Sequence, residues 1–128
     1  PIEFVDEGNT IALRIEEYDL VRTIHMDGQI NANPEPSLLG YSVGRWEDQT
    51  LVVETNTSNW GYFRGTGEYP ISADSEFLER FLATENGSRL QYELTVIDPT
   101  VFTEPVILQK SWIWLPDVTL DPYECASP

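Results

Sequence analysis

The chain has 128 residues, of which 41% are hydrophobic and 23% are charged, a composition typical of one folded globular domain. Twenty-two acidic residues against seven basic ones give a formal net charge of −15, so phosphate backbones and anionic lipid headgroups would repel this protein. We therefore expect no nucleic-acid partner, and no membrane insertion either, because no apolar run approaches the roughly 20 residues that span a bilayer.

The first half of the chain predicts five short β-strands. Apolar and polar side chains alternate with a period of two, as Ile11, Leu13 and Ile15 do within their stretch. Residues 29–40 contain two prolines and no hydrophobic period, so they are predicted to be a loop. The five predicted strands cover residues 2–5, 10–18, 20–26, 41–47 and 50–56.

The second half begins with a long connection, residues 57–74, that carries four aromatic residues and three glycines. Residues 75–84 are compatible with a short helix or a strand, and we predict a strand because the side chains alternate and a hairpin follows. The hairpin signal is Asn86-Gly87, the residue pair preferred in type I′ turns. The remaining predicted strands cover residues 88–98, 106–115 and, briefly, 121–125.

Eight or nine short strands joined mainly by turns predict an all-β protein. The expected architecture is a single antiparallel β-barrel, lipocalin-like, in which one sheet curls and closes. A two-sheet sandwich is the alternative. The chain has no repeat and no internal boundary, so residues 1–128 are predicted to form one domain. Because the chain opens directly on a strand-like stretch, PIEFV, we expect the full-length protein to have an additional N-terminal segment.

Five charged residues fall on predicted strand faces that also carry large apolar side chains. Burial of a charge is costly unless the charge is paired. These residues therefore predict either structural ion pairs or a polar cluster at the mouth of the barrel that orients a ligand. The five are Arg22, Arg45, Lys110, Glu54 and Glu79.

Acid/base chemistry has three candidates. His25 is the only histidine and so the default general base. Glu54 and Glu79 could form a carboxylate pair, although the sequence does not bring them together. The chain has no nucleophile elbow, P-loop or dinucleotide-binding motif. With one cysteine, one histidine and no calcium-binding loop, we predict no metal and no cofactor.

The aromatic connection is the better candidate for binding. Trp60 and Tyr62 lie among glycines that let the backbone bend, and their rings could cover an apolar or sugar-like ligand at the barrel opening. The same rings could instead plug the end of the barrel as core. The predicted ligand-binding residues are Arg22, Arg45, Trp60, Tyr62, Lys110, Trp112 and Trp114.

Five stretches of the sequence, taken in order, carry a family resemblance. They are VRTIHMDG, GYSVGRWEDQTLVVET, FLERF, LTVIDPTVFTEPV and YEC. They resemble a large family of uncharacterised secreted bacterial proteins. The signature of that family is M-D-G, then G-H-S-I-G-R-W-E-G-D-T-L-V-V-D-T, then an E-R-F strand. The resemblance covers most of residues 20–125.

The resemblance implies a periplasmic or secreted bacterial protein with β architecture. It also implies a cysteine in a preceding segment that could pair with Cys125. Tyr41 and Phe77 stand where family members usually have histidine, so chemistry that depends on those histidines is not expected here. No reaction is carried over from the family.

These observations support three hypotheses for the function. The first is a secreted or periplasmic β-barrel that binds a small apolar or aromatic molecule. The second is a cofactor-independent barrel enzyme, an isomerase, cyclase or lyase, that uses His25, Glu54 or Glu79 as acid or base. The third is a structural subunit that forms a homo-oligomer or other assembly through strand edges.

Overall fold

The computed structural model describes residues 1–26, 28, 34–61 and 70–124, and it shows eight β-strands in one sheet. Two single-turn 3₁₀ helices, Glu17–Asp19 and Glu85–Gly87, also occur in this part of the chain. None of the helices described is long and apolar enough to cross a bilayer. The strands are β1 (Ile2–Asp6), β2 (Thr10–Ile15), β3 (Leu20–His25), β4 (Tyr41–Glu47), β5 (Thr50–Asn56), β6 (Glu76–Thr84), β7 (Arg89–Ile97) and β8 (Val106–Ile113).

The strands lie side by side in chain order, and the sheet curls through 230° into a half-barrel. The predicted all-β, single-sheet barrel architecture is thereby confirmed. One pair departs from the antiparallel pattern, because β3 and β4 run parallel, with Ile24 opposite Ser42. Within the described residues, β1 pairs only with β2, and β8 pairs only with β7.

The predicted strands agree with the observed ones to within a few residues. The choice of a strand over a helix for residues 75–84 is confirmed by β6. Strand β2 ends at Ile15, earlier than predicted, and the chain turns at Tyr18 and Asp19, where φ is 60° and 50°. The short strand predicted over 121–125 is wrong for residues 121–124, which form no strand. Cys125 lies outside the described residues.

The predicted hairpin at Asn86-Gly87 joins β6 to β7. Asn86 and Gly87 have φ values of 58° and 85°, as a type I′ turn requires, and the Ser88 amide donates to the Glu85 carbonyl. Glu85 also has a positive φ of 53°, and the loop between the paired residues Thr84 and Arg89 is four residues long. The hairpin is therefore confirmed, with a longer loop than a two-residue turn.

The core lies on the concave face of the half-barrel. Leu13, Ile24, Leu51, Val53 and Phe81 form a buried cluster there. A row of aromatic contacts crosses the interior from β1 to β8, in the order Phe4, Phe81, Tyr92 and Trp112, with ring centroids 4.9–5.3 Å apart. The half-barrel is thus filled at its middle, and open space remains toward its two ends.

The two ends are distinguished by their connections. We call upper the end that carries the β1–β2, β4–β5 and β6–β7 turns, and lower the opposite end, where β3 and β4 begin. After β8, the chain returns from the upper end to the lower one. The Trp114 amide donates to the Ser88 carbonyl at the upper end, whereas the Asp121 amide donates to Glu16 and the Tyr123 amide to Asp19 at the lower end.

Candidate functional site

A cavity of about 240 Å³ opens at the lower end of the half-barrel. Its floor consists of strand residues that point into the barrel, and its rim comes from three connecting segments. Most of the wall is apolar, and the polar groups are gathered at the floor. The lining residues are Arg22, Thr55, Phe77, Glu79, Tyr92 and Leu94 from the strands and Leu38, Leu39, Ser58, Trp60 and Ile71 from the connections.

Hydrogen bonds between two connections hold the rim in place. Ser37 and Ser58 form an isolated parallel bridge, and the Asn59 amide donates to the Ser37 carbonyl at 2.8 Å. The Ser58 hydroxyl donates to the Leu38 carbonyl at 2.9 Å and accepts from the Trp60 amide at 3.2 Å. These bonds position Leu38 and Trp60 at the cavity mouth.

Gly40 allows the two rim segments to approach each other. Its φ is +70°, and a Cβ built there would lie 2.5 Å from the Asn56 carbonyl oxygen. No L side chain fits that space at that backbone angle without a shift of the backbone. A glycine at this position is therefore part of how the rim is built.

Asp98 fastens the third rim segment to the end of β7. Its buried carboxylate accepts hydrogen bonds from the Ser72 amide at 2.7 Å, the Ser72 hydroxyl at 2.8 Å and the Thr100 amide at 3.2 Å. Burial acts to raise the pKa of Asp98, but the hydrogen bonds from Ser72 and Thr100 outweigh it and lower that pKa below its usual range. The ionised carboxylate thus stabilises the segment that carries Ile71.

A buried ion pair forms the floor of the cavity. Arg22 on β3 donates to both carboxylate oxygens of Glu79 on β6, with Nη1–Oε2 at 3.1 Å and Nη2–Oε1 at 2.5 Å. The two side chains are only 12% and 6% exposed. Arg22 Nε also donates to Ser42 Oγ at 3.1 Å, and Ser42 shares a hydrogen bond of 2.8 Å with Thr55. The bidentate geometry is the strong form of an arginine–carboxylate pair.

Tyr92 completes the floor. Its hydroxyl donates to Glu79 Oε2 at 2.8 Å. Burial raises the pKa of Tyr92 well above its ordinary value, and the negative charge and hydrogen bond of Glu79 raise it further. Tyr92 is therefore a neutral hydrogen-bond donor over the whole physiological pH range.

The polar floor carries no net formal charge, because one guanidinium faces one carboxylate. Three of the five guanidinium N–H groups of Arg22 bond to Ser42 and Glu79, so two have no partner among the described residues. Glu79 Oε1 accepts one hydrogen bond from the described residues, which leaves it the capacity to accept another. The floor can thus offer both a donor and an acceptor to a polar group that enters the cavity.

The structure brings Arg22 and Glu79 together, but it places Arg45 and Glu54 on the opposite, convex face. Arg45 Nη1 lies 3.0 Å from Glu54 Oε2, and both side chains are about half exposed. Arg45 also contacts Glu47, which contacts Arg80. The prediction that Glu54 and Glu79 act as a carboxylate pair is wrong, since they lie on opposite faces of the sheet.

His25 also lies on the convex face. Its ring stacks on Tyr41, with centroids 4.5 Å apart and an interplanar angle of 18°. His25 does not line the lower cavity. Of the three residues named for acid/base chemistry, only Glu79 does so.

The predicted aromatic binding residues are divided among several places. Trp60 lines the cavity, as predicted. Lys110 and Trp112 face into the barrel but do not line the lower cavity. Trp112 contacts the Tyr92 ring, and Lys110 Nζ lies 4.6 Å from the Trp112 ring centroid. Trp114 is 68% exposed beyond the end of β8, away from the cavity. Tyr62 lies outside the described residues.

Sequence reasoning missed Tyr92, Ser42 and Thr55 as members of the floor. A signal for Tyr92 was present, because it alternates with Leu90, Leu94 and Val96 and so shares their inward face. Ser42 and Thr55 are paired neighbours on β4 and β5, a contact that depends on strand register. Small hydroxyl residues within a strand carry no comparable signal in the sequence alone.

In the described part of the chain, no three histidine, cysteine, aspartate or glutamate side chains converge as a metal ion would require. Comparison of the chain with protein families, with curated proteins and with solved structures found no match.

Proposed function

We propose that this protein binds a small, uncharged molecule with an aromatic or apolar body and one hydroxyl or carbonyl group, and that the lower cavity is its binding site. The observation that carries the proposal is the polar floor at the bottom of an apolar cavity. Arg22 and Glu79 neutralise each other there, while unused donors and an unused acceptor remain.

The neutral floor favours an uncharged ligand over an ionic one. A carboxylate on the ligand would compete with Glu79 for Arg22 and would place two anions close together in a site with little water. An ammonium group would be repelled by the guanidinium of Arg22. A hydroxyl group can accept from an N–H group of Arg22 and donate to Glu79 at the same time. The hydrogen bonds between Arg22 and Glu79 then stay in place.

The size of the cavity limits the ligand to roughly one or two rings. A cavity of about 150 Å³ accommodates benzene, and this one measures about 240 Å³. Leu38, Phe77 and Trp60 supply the apolar contacts around such a body.

A suitable probe is 2-phenylethanol, compared with phenylacetate as its anionic analogue. We expect 2-phenylethanol to bind with a Kd of about 1 mM or lower, which corresponds to a binding free energy of about −4 kcal/mol or more favourable. Binding should shift the amide resonances of Trp60 and Ser58. We expect phenylacetate to bind at least tenfold more weakly. The measurement is a titration followed by two-dimensional NMR.

Two variants locate the binding. Trp60→Leu should weaken the binding of 2-phenylethanol three- to tenfold, because it removes one wall while the floor stays intact. Trp114→Leu is the matched control and should leave the Kd unchanged, since Trp114 lies away from the cavity. Equal binding of both probes would refute the proposal. So would the absence of any shift at Trp60 and Ser58 up to about 10 mM of either probe.

An exported, bacterial setting is part of the same proposal. It is supported by the resemblance to a family of secreted bacterial proteins and by the strongly acidic composition. Detection of the full-length protein in the periplasmic or extracellular fraction of its host would test it, and recovery from the cytoplasm alone would contradict it.

The acid/base alternative has less support. His25 and Glu54 lie on the convex face, and the Glu79 carboxylate already accepts three hydrogen bonds. Of the three predicted acid/base residues, Glu79 is thus the only one that lines the cavity. Transfer of a substrate proton to Glu79 would neutralise this carboxylate and leave the buried Arg22 guanidinium without a counter-charge.

Assembly through a strand edge is a second candidate, favoured by β8. Because the Trp114 amide donates to Ser88, the even-numbered residues of β8 direct their N–H groups to β7, and the odd-numbered ones direct theirs outward. Ile107 and Ile113 on this edge are about 60% exposed. Such an edge is a template for an added strand.

The variant Gln109→Pro tests this candidate. It removes an outward N–H group and keeps the pairing of β8 with β7, whereas Gln109→Ala, the control, keeps the N–H group. If the edge mediates assembly, sedimentation equilibrium shows concentration-dependent association for the wild type and Gln109→Ala but not for Gln109→Pro. A monomer at all concentrations, or equal association of all three, would exclude it.

A further inference from the structure

A second cavity, of about 520 Å³, lies at the upper end of the half-barrel. Its walls are almost entirely apolar, and they include the exposed ring of Trp46. The lining residues are Phe4, Ile11, Met26, Trp46, Leu51, Phe81, Ala83 and Leu90, with Asp6, Gly8 and Gln49 at the mouth.

The two cavities are separate. Phe81 lines the upper one and Tyr92 the lower one, and their rings are in contact with centroids 4.9 Å apart. The aromatic row that contains them, together with the buried cluster around Leu51, therefore forms a partition. A molecule in one cavity does not reach the polar groups of the other.

The charges of the two cavities differ. The upper cavity has one ionisable side chain, Asp6, and no lysine, arginine or histidine among the described residues that line it. Asp6 is exposed, and one of its carboxylate oxygens, Oδ1, accepts a hydrogen bond of 2.9 Å from the Gly8 amide. No cation among the described residues pairs with this carboxylate, whereas Glu79 in the lower cavity is paired with Arg22.

Trp46 adds a second feature that suits a cation. Trp46 lies at the rim, and the residue is 60% exposed although it is on the concave face. The face of an indole attracts organic cations electrostatically, more strongly than the other aromatic rings do. The net charge of −15 raises the local concentration of cations around the whole molecule.

We propose that the upper cavity binds an organic ammonium ion, with its apolar body in the cavity and its charged group at the mouth beside Asp6 and Trp46. An aryl- or alkylammonium fits this site because it satisfies the apolar wall and the unpaired carboxylate together. Its ammonium group stays near water, so little desolvation is required.

The probe is 2-phenylethylammonium, which has the same body as 2-phenylethanol with a charged group in place of the hydroxyl. We expect it to shift the Gly8 amide and the Trp46 indole N–H resonances, and not those of Trp60 and Ser58. We expect 2-phenylethanol to affect the upper resonances at least fivefold more weakly at equal concentration.

Asp6→Asn should weaken the binding of 2-phenylethylammonium three- to tenfold, and Trp46→Leu by a similar factor. Raising the ionic strength from about 20 to about 300 mM should weaken it more in the wild type than in Asp6→Asn, which keeps only the general attraction of the net charge. Glu7→Gln, a neighbouring exposed carboxylate outside the cavity, is the matched control and should change the Kd less than twofold.

The proposal is overturned if Asp6→Asn and Glu7→Gln have equal effects, which indicates nonspecific attraction to an acidic surface. It is also overturned if the ammonium probe shifts only the lower-cavity resonances, or none. Because the two probes report on different resonances, failure of the upper site leaves the test of the lower site unaffected, and the reverse holds as well.

Discussion

Arg22 on β3 and Glu79 on β6 form a bidentate ion pair although their strands are separated in the sheet by β4 and β5. The curl of the sheet brings the two side chains together across the concave face. Because both are nearly inaccessible to water, neither charge is tolerable without the other. The pair is at once a structural constraint on the curl and the floor of the lower cavity.

Replacing either member of the pair should be strongly destabilising. We expect Arg22→Leu and Glu79→Leu each to lower the free energy of unfolding by about 3–5 kcal/mol, because each leaves an uncompensated buried charge. The double variant should lose less stability than the two single variants together, and the difference should be about 2 kcal/mol or more. Urea unfolding of the four proteins measures this coupling.

The exposed pair Arg14 and Glu3, whose charged atoms are 2.8 Å apart, provides the control cycle. Its coupling energy should be below about 1 kcal/mol, as is usual for surface pairs. Additive losses at Arg22 and Glu79, within about 0.5 kcal/mol, would show that the buried pair has no special role.

Tyr92 should make the protein sensitive to alkali. The pKa of its hydroxyl is raised in the folded state, whereas in the unfolded chain the hydroxyl ionises at about pH 10. Above that pH the folded state binds more protons than the unfolded one, so the free energy of unfolding falls as the pH rises, by at most about 1.4 kcal/mol per pH unit. Tyr92→Phe should remove this component.

At neutral pH, Tyr92→Phe should cost about 2 kcal/mol through the lost hydrogen bond to Glu79. Tyr18→Phe, at an exposed position, is the control for general alkaline denaturation. Parallel stability curves for the wild type and Tyr92→Phe between pH 9 and about 12 would be inconsistent with this role.

Asp98 should make the protein sensitive to acid. The pKa of Asp98 is lowered in the folded state, so its stabilising contribution is present above the unfolded value of about 3.9 and is lost as the pH falls through the folded value. Asp98→Asn should reduce the stability at pH 7 by about 1–3 kcal/mol. Below pH 4 the difference between the two proteins should shrink.

Thermal unfolding followed by circular dichroism between pH 7 and about 2 checks this expectation. Asp74→Asn is the matched control, because Asp74 lies in the same segment but is exposed. If both variants lose the same stability, the hydrogen bonds from Ser72 and Thr100 do not matter.

The convex-face residues should tolerate replacement. Arg45→Ala and Glu54→Gln are each expected to change the free energy of unfolding by less than about 1 kcal/mol, because their ion pair is half exposed. Both variants, and His25→Ala, should leave the Kd for 2-phenylethanol within twofold of the wild type. A tenfold loss in any of them would place function on this face.

Most of the fold was predictable because it rests on local signals. Alternation of apolar and polar side chains reports a strand directly, since successive residues of a strand point to opposite faces. Turn residues such as Asn86 and Gly87 mark where strands end. The parallel pairing of β3 with β4 was not predictable, because its connection lies in a stretch without a hydrophobic period.

The candidate site was predictable only in part. Alternation placed Arg22 and Glu79 on apolar faces, but it placed Arg45 and Glu54 on apolar faces too. Val52 explains the error, because it is fully buried although it lies on the convex face, between Arg45 on β4 and Arg80 on β6. The stems of arginine side chains can cover such a residue as effectively as a core does.

The sequence by itself determined the strands, their turns and which side chains share a face, because the backbone geometry of a strand has a strict period of two. It did not determine which face becomes the interior, because both faces of β4 and β5 carry apolar residues. That choice, and the meeting of Arg22 with Glu79 and Tyr92, came from the direction in which the sheet curls. Curling depends on the packing of strands distant in the chain, and the two cavities exist only as its consequence.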